Sequence, residues 1–123
     1  PVVAFEIYLD ALPQPRRKAT QRPPLELSDL QTVTRDFAFV VDQDVAAGDV
    51  LTAARGADKK LITEAQVFDV FESEEALGAG KKSLAVEITL QPREKTLTDD
   101  EIDAVAKRIV QAVSKATGGV IRK

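Results

Sequence analysis

The sequence predicts one α+β domain in which four strands and two helices follow one another as β-α-β-β-α-β. Two observations carry this prediction. Three segments alternate apolar residues with polar or small ones, which is typical of strands that bury one face. Two others repeat apolar residues every three or four positions, which is typical of helices. This order gives a ferredoxin-like βαββαβ sandwich, with a four-stranded antiparallel sheet, both helices on one face and the other face open.

The first half of the domain is predicted from alternation and from a glycine. Residues 34–41 form the first strand, because every second residue is large and apolar. Residues 46–55 form the first helix, and Gly56 stands where a left-handed C-terminal cap is expected. Residues 61–71 form a long second strand, and residues 72–80 form a polar, glycine-containing turn.

The second half repeats the pattern. Residues 82–90 form the third strand, in which alternate residues are again apolar. Thr98 and Glu101 make a capping box that starts the second helix. That helix is expected to bury a stripe made of Ile102, Val105, Ile109, Val113 and Ala116. Gly118-Gly119 ends the helix, and Val120-Ile121 is a short final strand.

The first 24 residues are predicted to stand apart from this domain. Val2 to Leu9 alternates like a strand, and Pro13 to Pro24 is interpreted as an exposed linker rich in proline and arginine. Because the chain begins with Pro1 rather than methionine, we interpret it as a fragment of something longer. We therefore expect residues 1–24 to come from a preceding domain and residues 25–123 to form the compact unit.

The composition disfavours an enzyme. The chain has no cysteine and no histidine, which removes thiol nucleophiles, thiolate metal sites and the commonest general base. Lys82 and Ser83 are neighbours on a strand, so their side chains point to opposite faces and cannot share a proton. No apolar run approaches the ~20 residues that span a bilayer. We expect a cytoplasmic, non-catalytic domain with no cofactor or metal of its own.

The charge balance argues against a strongly basic binding surface. The formal net charge is −3, so the whole-domain basicity common in nucleic-acid-binding proteins is missing. Local basic clusters remain, among them Lys81-Lys82 and Arg122-Lys123. Such distributed clusters are usually only a solvated surface.

The open face of the predicted sheet is the most informative surface. If Phe68 and Val70 join the core, Asp69 and Phe71 project from the open face. Stacking of a nucleic-acid base on an exposed ring is worth roughly 1–3 kcal/mol. A carboxylate can accept hydrogen bonds from base N–H groups on the edge that single-stranded loops present.

Two further residues fit the same face. Ser83 adds a hydroxyl that can donate and accept, and Ala38 is small enough to let a base approach closely. Each residue alone has a better ordinary explanation. A bulge that shifts the register would make Phe71 a core ring, and Asp69 could cap a turn or pair with a lysine. The four together make a binding surface a competitive hypothesis.

Four sequence blocks, in order, closely resemble one known family: residues 35–41 (RDFAFVV), 68–72 (FDVFE), 80–85 (GKKSLA) and 95–102 (KTLTDDEI). The family is the ferredoxin-fold anticodon-binding domain at the C-terminus of the beta subunit of bacterial phenylalanyl-tRNA synthetases. Residues 5–10 (FEIYLD) resemble the end of the catalytic-like domain that precedes it there. The resemblance covers the chain from about Leu25 to its end.

The resemblance implies binding of the anticodon loop of tRNA(Phe) on the open face. The RNA-binding residues it implies are Ala38, Asp69, Phe71 and Ser83, and we predict that Arg35 and Lys81, which lie in the same sequence blocks, bind RNA as well. Phe71 would stack on an anticodon base; the family often has tyrosine there, so Phe71 keeps the stacking and loses a hydroxyl hydrogen bond. The implied parent is an ATP- and magnesium-dependent ligase assembled with an alpha subunit, and this chain would carry none of that catalytic machinery.

Two other functions remain open at this point. A small-molecule-sensing module of the same fold would bind its ligand at a helix–sheet edge or a dimer interface. A purely structural module would use the open face as a protein interface, which calls for a sizeable apolar surface. The face instead carries polar residues, namely Asp36, Asp69, Ser83, Glu87 and Thr89, and these disfavour the structural module.

Overall fold

A computed structural model of the chain describes residues 1–13, 24 and 27–122. Four strands form one antiparallel sheet in the order β2-β3-β1-β4. They are β1 (Val33–Asp42), β2 (Ile62–Phe71), β3 (Lys81–Leu90) and β4 (Val120–Ile121). The helices are α1 (Ala47–Gly56), α2 (Glu74–Leu77) and α3 (Asp99–Thr117). The predicted ferredoxin-like α+β fold is confirmed, with the one-turn helix α2 added where a polar turn was expected.

The core lies between the sheet and the two long helices. Phe37, Phe39 and Val41 of β1 are buried, and the two phenylalanine rings stack with centroids 5.9 Å apart. On β3 the buried residues are Leu84, Val86, Ile88 and Leu90. Because β1 and β3 pair along their whole length in the middle of the sheet, these two apolar rows meet side by side. The prediction that alternate residues of β1 and β3 face the core is confirmed.

Helix α3 begins and ends as its capping residues predict. The Thr98 hydroxyl accepts from the Glu101 backbone N–H at 3.3 Å, and the Glu101 carboxylate accepts from the Thr98 N–H at 2.9 Å. Gly118 ends the helix with a left-handed φ of 69°. The buried stripe stops at Val113, since Ala116 is exposed, contrary to expectation.

Gly119 positions the last strand. A Cβ at this residue would lie 2.8 Å from Cγ1 of Val41, whose side chain is buried, and 3.0 Å from the Thr117 hydroxyl. Only glycine therefore lets the chain leave α3 and return close enough to β1 for β4 to pair with it.

Three local predictions were wrong. Gly56 is not a left-handed cap but the last residue of α1, which is followed by Ala57 in helical conformation. Residues 72–80 are not wholly a turn, because the Ser73 hydroxyl accepts from the Ala76 N–H and starts α2. Val2 to Leu9 forms no strand here: residues 1–8 have no regular secondary structure, are exposed, and pair with none of the described strands.

The N-terminal segment is described only in part. A single 3-10 turn spans Leu9–Ala11. Residues 14–23 of the predicted linker, together with residues 25 and 26 at the predicted domain start, lie outside the described residues. Within the described part of the chain, no helix has both the length and the apolar character to cross a membrane.

Candidate nucleic-acid interface

One face of the sheet is turned away from α1 and α3, and we call it the open face. It consists of the strand residues that alternate with the core residues: Thr34, Asp36, Ala38, Val40, Asp42, Glu64, Gln66, Asp69, Phe71, Lys81, Ser83, Ala85, Glu87, Thr89 and Val120. Its side chains are mostly small, polar or charged, together with the Phe71 ring and two valines, Val40 and Val120.

The strand register places these side chains in rows across the sheet. One row runs Phe71, Ser83, Val40 and Val120, and the next runs Asp69, Ala85 and Ala38. Arg122 extends the second row, because its backbone N–H donates to the Ala38 carbonyl at 2.7 Å. In these two rows the middle strands contribute serine, alanine and one valine, whereas Phe71, Asp69 and Arg122 stand at the two edges. With strands about 4.8 Å apart, the result is a shallow floor with raised sides.

Phe71 and Asp69 occupy the edge formed by β2. Phe71 is 40% exposed, and Asp69 is exposed beside it. Both belong to the open face, as predicted. The strand is not regular up to this point, however, because a β-bulge lies between Val67 and Asp69.

The bulge changes the environment of the neighbouring residues. Val67 is directed to the helix side, opposite Val86, although simple alternation would put it on the same face as Asp69, two residues later. Phe68 is the extra residue, and it is 58% exposed rather than buried in the core. Val70 keeps the helix-side register but is 51% exposed. The expectation that Phe68 and Val70 join the core is therefore wrong, although its consequence for Asp69 and Phe71 holds.

Ser83 and Ala38 lie on the floor between the two edges. Ser83 lies on the open face, as expected, but it is only 3% exposed, so its hydroxyl has little access. Its direct neighbours across the two strand pairings are Phe71 and Val40, whose bulkier side chains flank it. Ala38 is half-buried and opposite Ala85, so this part of the floor is low.

Arg35 and Lys81 are separated from the other predicted residues. Arg35 shares the register of Phe37 and Phe39, so it is exposed on the helix side of β1 and not on the open face. Lys81 lies on the open face at its far end, where its ammonium pairs with the carboxylate of Asp42 directly across the strand pair. The structure therefore brings together Ala38, Asp69, Phe71 and Ser83, with Lys81 at the margin.

Sequence reasoning missed Arg122. Its guanidinium carbon lies 5.0 Å from the centroid of the Phe71 ring, which is a cation–π contact. In the sequence Arg122 was visible only as part of a terminal basic cluster. Continuing the alternation of β4 from Val120 on the open face would have placed Arg122 on the same side.

No group of three or more histidine, cysteine or carboxylate side chains is placed to hold a metal ion among the described residues. On the open face, the carboxylate of Glu87 accepts from the Gln66 amide at 2.8 Å, so part of its hydrogen-bonding capacity is used internally. The open face thus offers an aromatic ring, carboxylates, an arginine and a floor of mostly small residues.

Comparison with protein families agrees with this architecture. The family model described as ferredoxin-fold anticodon binding domain matches residues 28–122, which include every strand of the sheet. The chain belongs to the ferredoxin-fold anticodon binding domain family. The resemblance read from the four sequence blocks is thereby confirmed.

The chain is also similar to individual phenylalanine–tRNA ligase beta subunits. The chain is 56% identical over 123 residues to the phenylalanine–tRNA ligase beta subunit of Mesorhizobium japonicum, and 57% identical over 123 residues to that of Rhodospirillum rubrum, covering 99% of the chain in both cases. It is 54% identical over 119 residues, 96% of the chain, to the beta subunit of Brucella abortus. The chain spans about 15% of the length of these relatives.

Proposed function

We propose that this domain binds the anticodon loop of tRNA(Phe) on its open face, as a non-catalytic part of a phenylalanine–tRNA ligase beta subunit. The observation that carries the proposal is the pair at the β2 edge: an exposed aromatic ring and an exposed carboxylate, Phe71 and Asp69, beside a floor of small residues.

The ring supplies the main contact. An unstacked base of the anticodon loop stacks on Phe71, which contributes roughly 1–3 kcal/mol and tolerates any base. Base preference must come from polar groups, and Asp69 is placed two residues away on the same face to accept from N–H groups on the base edge. Ala38 and Ala85 leave room for the base above the floor.

The remaining predicted residues take lesser parts. Ser83 helps to form the floor, since its hydroxyl has little access. Lys81 can contact the RNA backbone if it exchanges its partner Asp42 for a phosphate. Arg35, on the other side of β1, is left out of the base-contacting set.

The net charge of −3 fits a domain that contacts the bases of the anticodon loop, while other parts of the ligase contact most of the tRNA phosphates. We expect the isolated domain to bind weakly and with strong salt dependence. ATP, magnesium and the alpha subunit then belong to the complete cytoplasmic enzyme, and this domain needs no cofactor of its own.

A matched pair of phenylalanines tests the proposal. Fluorescence titration of the 123-residue chain compares a stem-loop carrying the phenylalanine anticodon with one carrying a different anticodon. Phe71→Ala should weaken binding of the first by roughly tenfold to a hundredfold. Phe68→Ala is the control, because Phe68 is equally aromatic, still more exposed and three residues away. Equal effects of the two changes on affinity would contradict the proposal. So would a wild-type chain that binds both stem-loops equally well.

A further inference from the structure

The ring proposed to receive the base is already in contact with another group. The guanidinium of Arg122 lies over Phe71, with its carbon 5.0 Å from the ring centroid. The two residues come from opposite edges of the sheet: Phe71 ends β2, and Arg122 follows β4. Strands β3 and β1 lie between them.

The arginine reaches the ring by crossing the floor. Its backbone is anchored beside Ala38 by the hydrogen bond to the Ala38 carbonyl. Between that anchor and Phe71 the register places Ala38, Val40, Ala85 and Ser83, none of which is charged or aromatic. This is the same space that a base stacked on Phe71 would occupy.

The positive charge of Arg122 is also available for an interaction with a phosphate. Two described cations, Lys81 and Arg122, stand over the open face, and the Lys81 ammonium is paired with Asp42. Arg122 makes no salt bridge with a carboxylate of the described residues, and its contact is with an uncharged ring. A guanidinium offers several N–H donors in one plane, which match the oxygens of a phosphate.

We propose that Arg122 covers the Phe71 ring in the free domain and moves onto a phosphate of the bound RNA when a base takes its place on the ring. This inference rests on the proposed RNA-binding function and adds a residue and an exchange of partners to it. The exchange is favourable because base stacking on a ring is stronger than an exposed cation–π contact, and because the displaced guanidinium gains a charged partner.

The salt dependence of RNA binding tests the phosphate contact. For a single-stranded segment, each phosphate contact contributes about 0.7 to the slope of log K against log salt concentration. Arg122→Gln should weaken binding of the phenylalanine anticodon stem-loop several-fold at low salt and reduce the slope by about 0.7. Arg122→Lys keeps the charge and should keep the slope. Lys115→Gln, which removes one exposed charge from the last turn of α3, is the matched control and should leave the slope unchanged.

The displacement has a readout of its own. In the free chain, the ring current of Phe71 should shift the side-chain proton resonances of Arg122, and Phe71→Leu should abolish that shift without RNA. Adding the stem-loop to the wild-type chain should also abolish it. A ring-current shift that persists at saturation would overturn the exchange.

Two patterns separate this inference from the proposed function. In the first, the wild-type chain prefers the phenylalanine anticodon stem-loop and loses affinity on Phe71→Ala, but Arg122→Gln tightens binding and leaves the salt slope unchanged. Arg122 then only blocks the ring, and this inference fails while the proposed function stands. If the wild-type chain shows no anticodon preference, the proposed function fails and the exchange fails with it. Thermal unfolding of each variant, followed by circular dichroism, confirms that the compared chains are folded.

Discussion

The two faces of the sheet use the same strands for different purposes. On the helix side, Phe39, Leu84 and Val86 are almost completely buried, so each contributes to the free energy of folding. On the open side, the residues next to them in sequence are small, charged or partly exposed. Because strand side chains alternate, substitutions at two successive positions of a strand affect opposite faces of the sheet. Stability and recognition can therefore vary separately in this domain.

The largest expected effect contrasts two phenylalanines on opposite faces. Phe39→Ala should lower the free energy of unfolding by about 3–5 kcal/mol, because it leaves a cavity beneath the helices. Phe71→Ala should lower it by much less, about 1 kcal/mol, since the ring is 40% exposed and lies outside the core. Urea denaturation measures both, and comparable losses would break the distinction between the faces.

A second contrast concerns glycines. Gly119→Ala should destabilise the domain by about 1–3 kcal/mol, because the new methyl group would press on the buried side chain of Val41. Gly48→Ala should instead stabilise it by up to about 1 kcal/mol, since Gly48 lies in α1 with open space around it. The same denaturation experiment checks the opposite signs, and a neutral Gly119→Ala would show that β4 can be displaced at little cost.

A third contrast concerns acidic residues and is smaller. Asp69→Asn should weaken binding of the phenylalanine anticodon stem-loop by about fivefold, because a hydrogen bond to a charged acceptor becomes one to a neutral acceptor. The preference over a swapped anticodon should fall with it. Asp103→Asn, at an exposed position of α3, removes the same charge from the helix side and should leave that preference intact. Titration with both RNAs checks this, and an increase in affinity from both changes would mean that only net charge matters.

The smallest effect concerns the start of α3. Hydrogen bonds from the Lys95 ammonium and then from the Thr98 backbone N–H lower the pKa of Glu101 from its ordinary 4.5 to about 2. A carboxyl whose pKa is lowered by folding stabilises the fold fully above the unfolded pKa and progressively less as the pH falls towards the folded one. The melting temperature of the wild-type chain should exceed that of Glu101→Gln slightly at pH 6, and the gap should close between about pH 4.5 and 2.

Glu75→Gln, in the exposed helix α2, provides the control for this pH series. It removes a carboxylate that makes no such hydrogen bonds with described residues. Its difference from the wild type sets the background for the series, and a gap for Glu101→Gln that is constant with pH would contradict the assignment.

The parts of the fold that were predicted correctly depend on local patterns. The alternation in β1 and β3 and the Thr98–Glu101 capping box are visible within a few residues of sequence, and the structure confirms them. The bulge at Phe68 was missed because it depends on how β2 pairs with β3, which no local pattern records. The segment Val2 to Leu9 has a suitable alternation, but it pairs with none of the four described strands.

The site shows the same division. Alternation placed Asp69 and Phe71 on the open face correctly, since the bulge lies before both. It could not foresee the burial of Ser83, which depends on side chains from two neighbouring strands. The contact between Arg122 and Phe71 joins residues 51 positions apart and requires the three-dimensional order of the strands. Arg122, which adds most to the proposed binding surface, is therefore the residue whose role the sequence predicts least.

The most direct test of the open face as the RNA surface is a map of backbone amide resonances during titration with the phenylalanine anticodon stem-loop. We expect the largest shifts along the rows that contain Asp69, Phe71 and Ala38, and at Arg122, while the outer surfaces of α1 and α3 stay unchanged. Shifts concentrated on those helices, or shifts that do not differ between this stem-loop and one with another anticodon, would contradict the account.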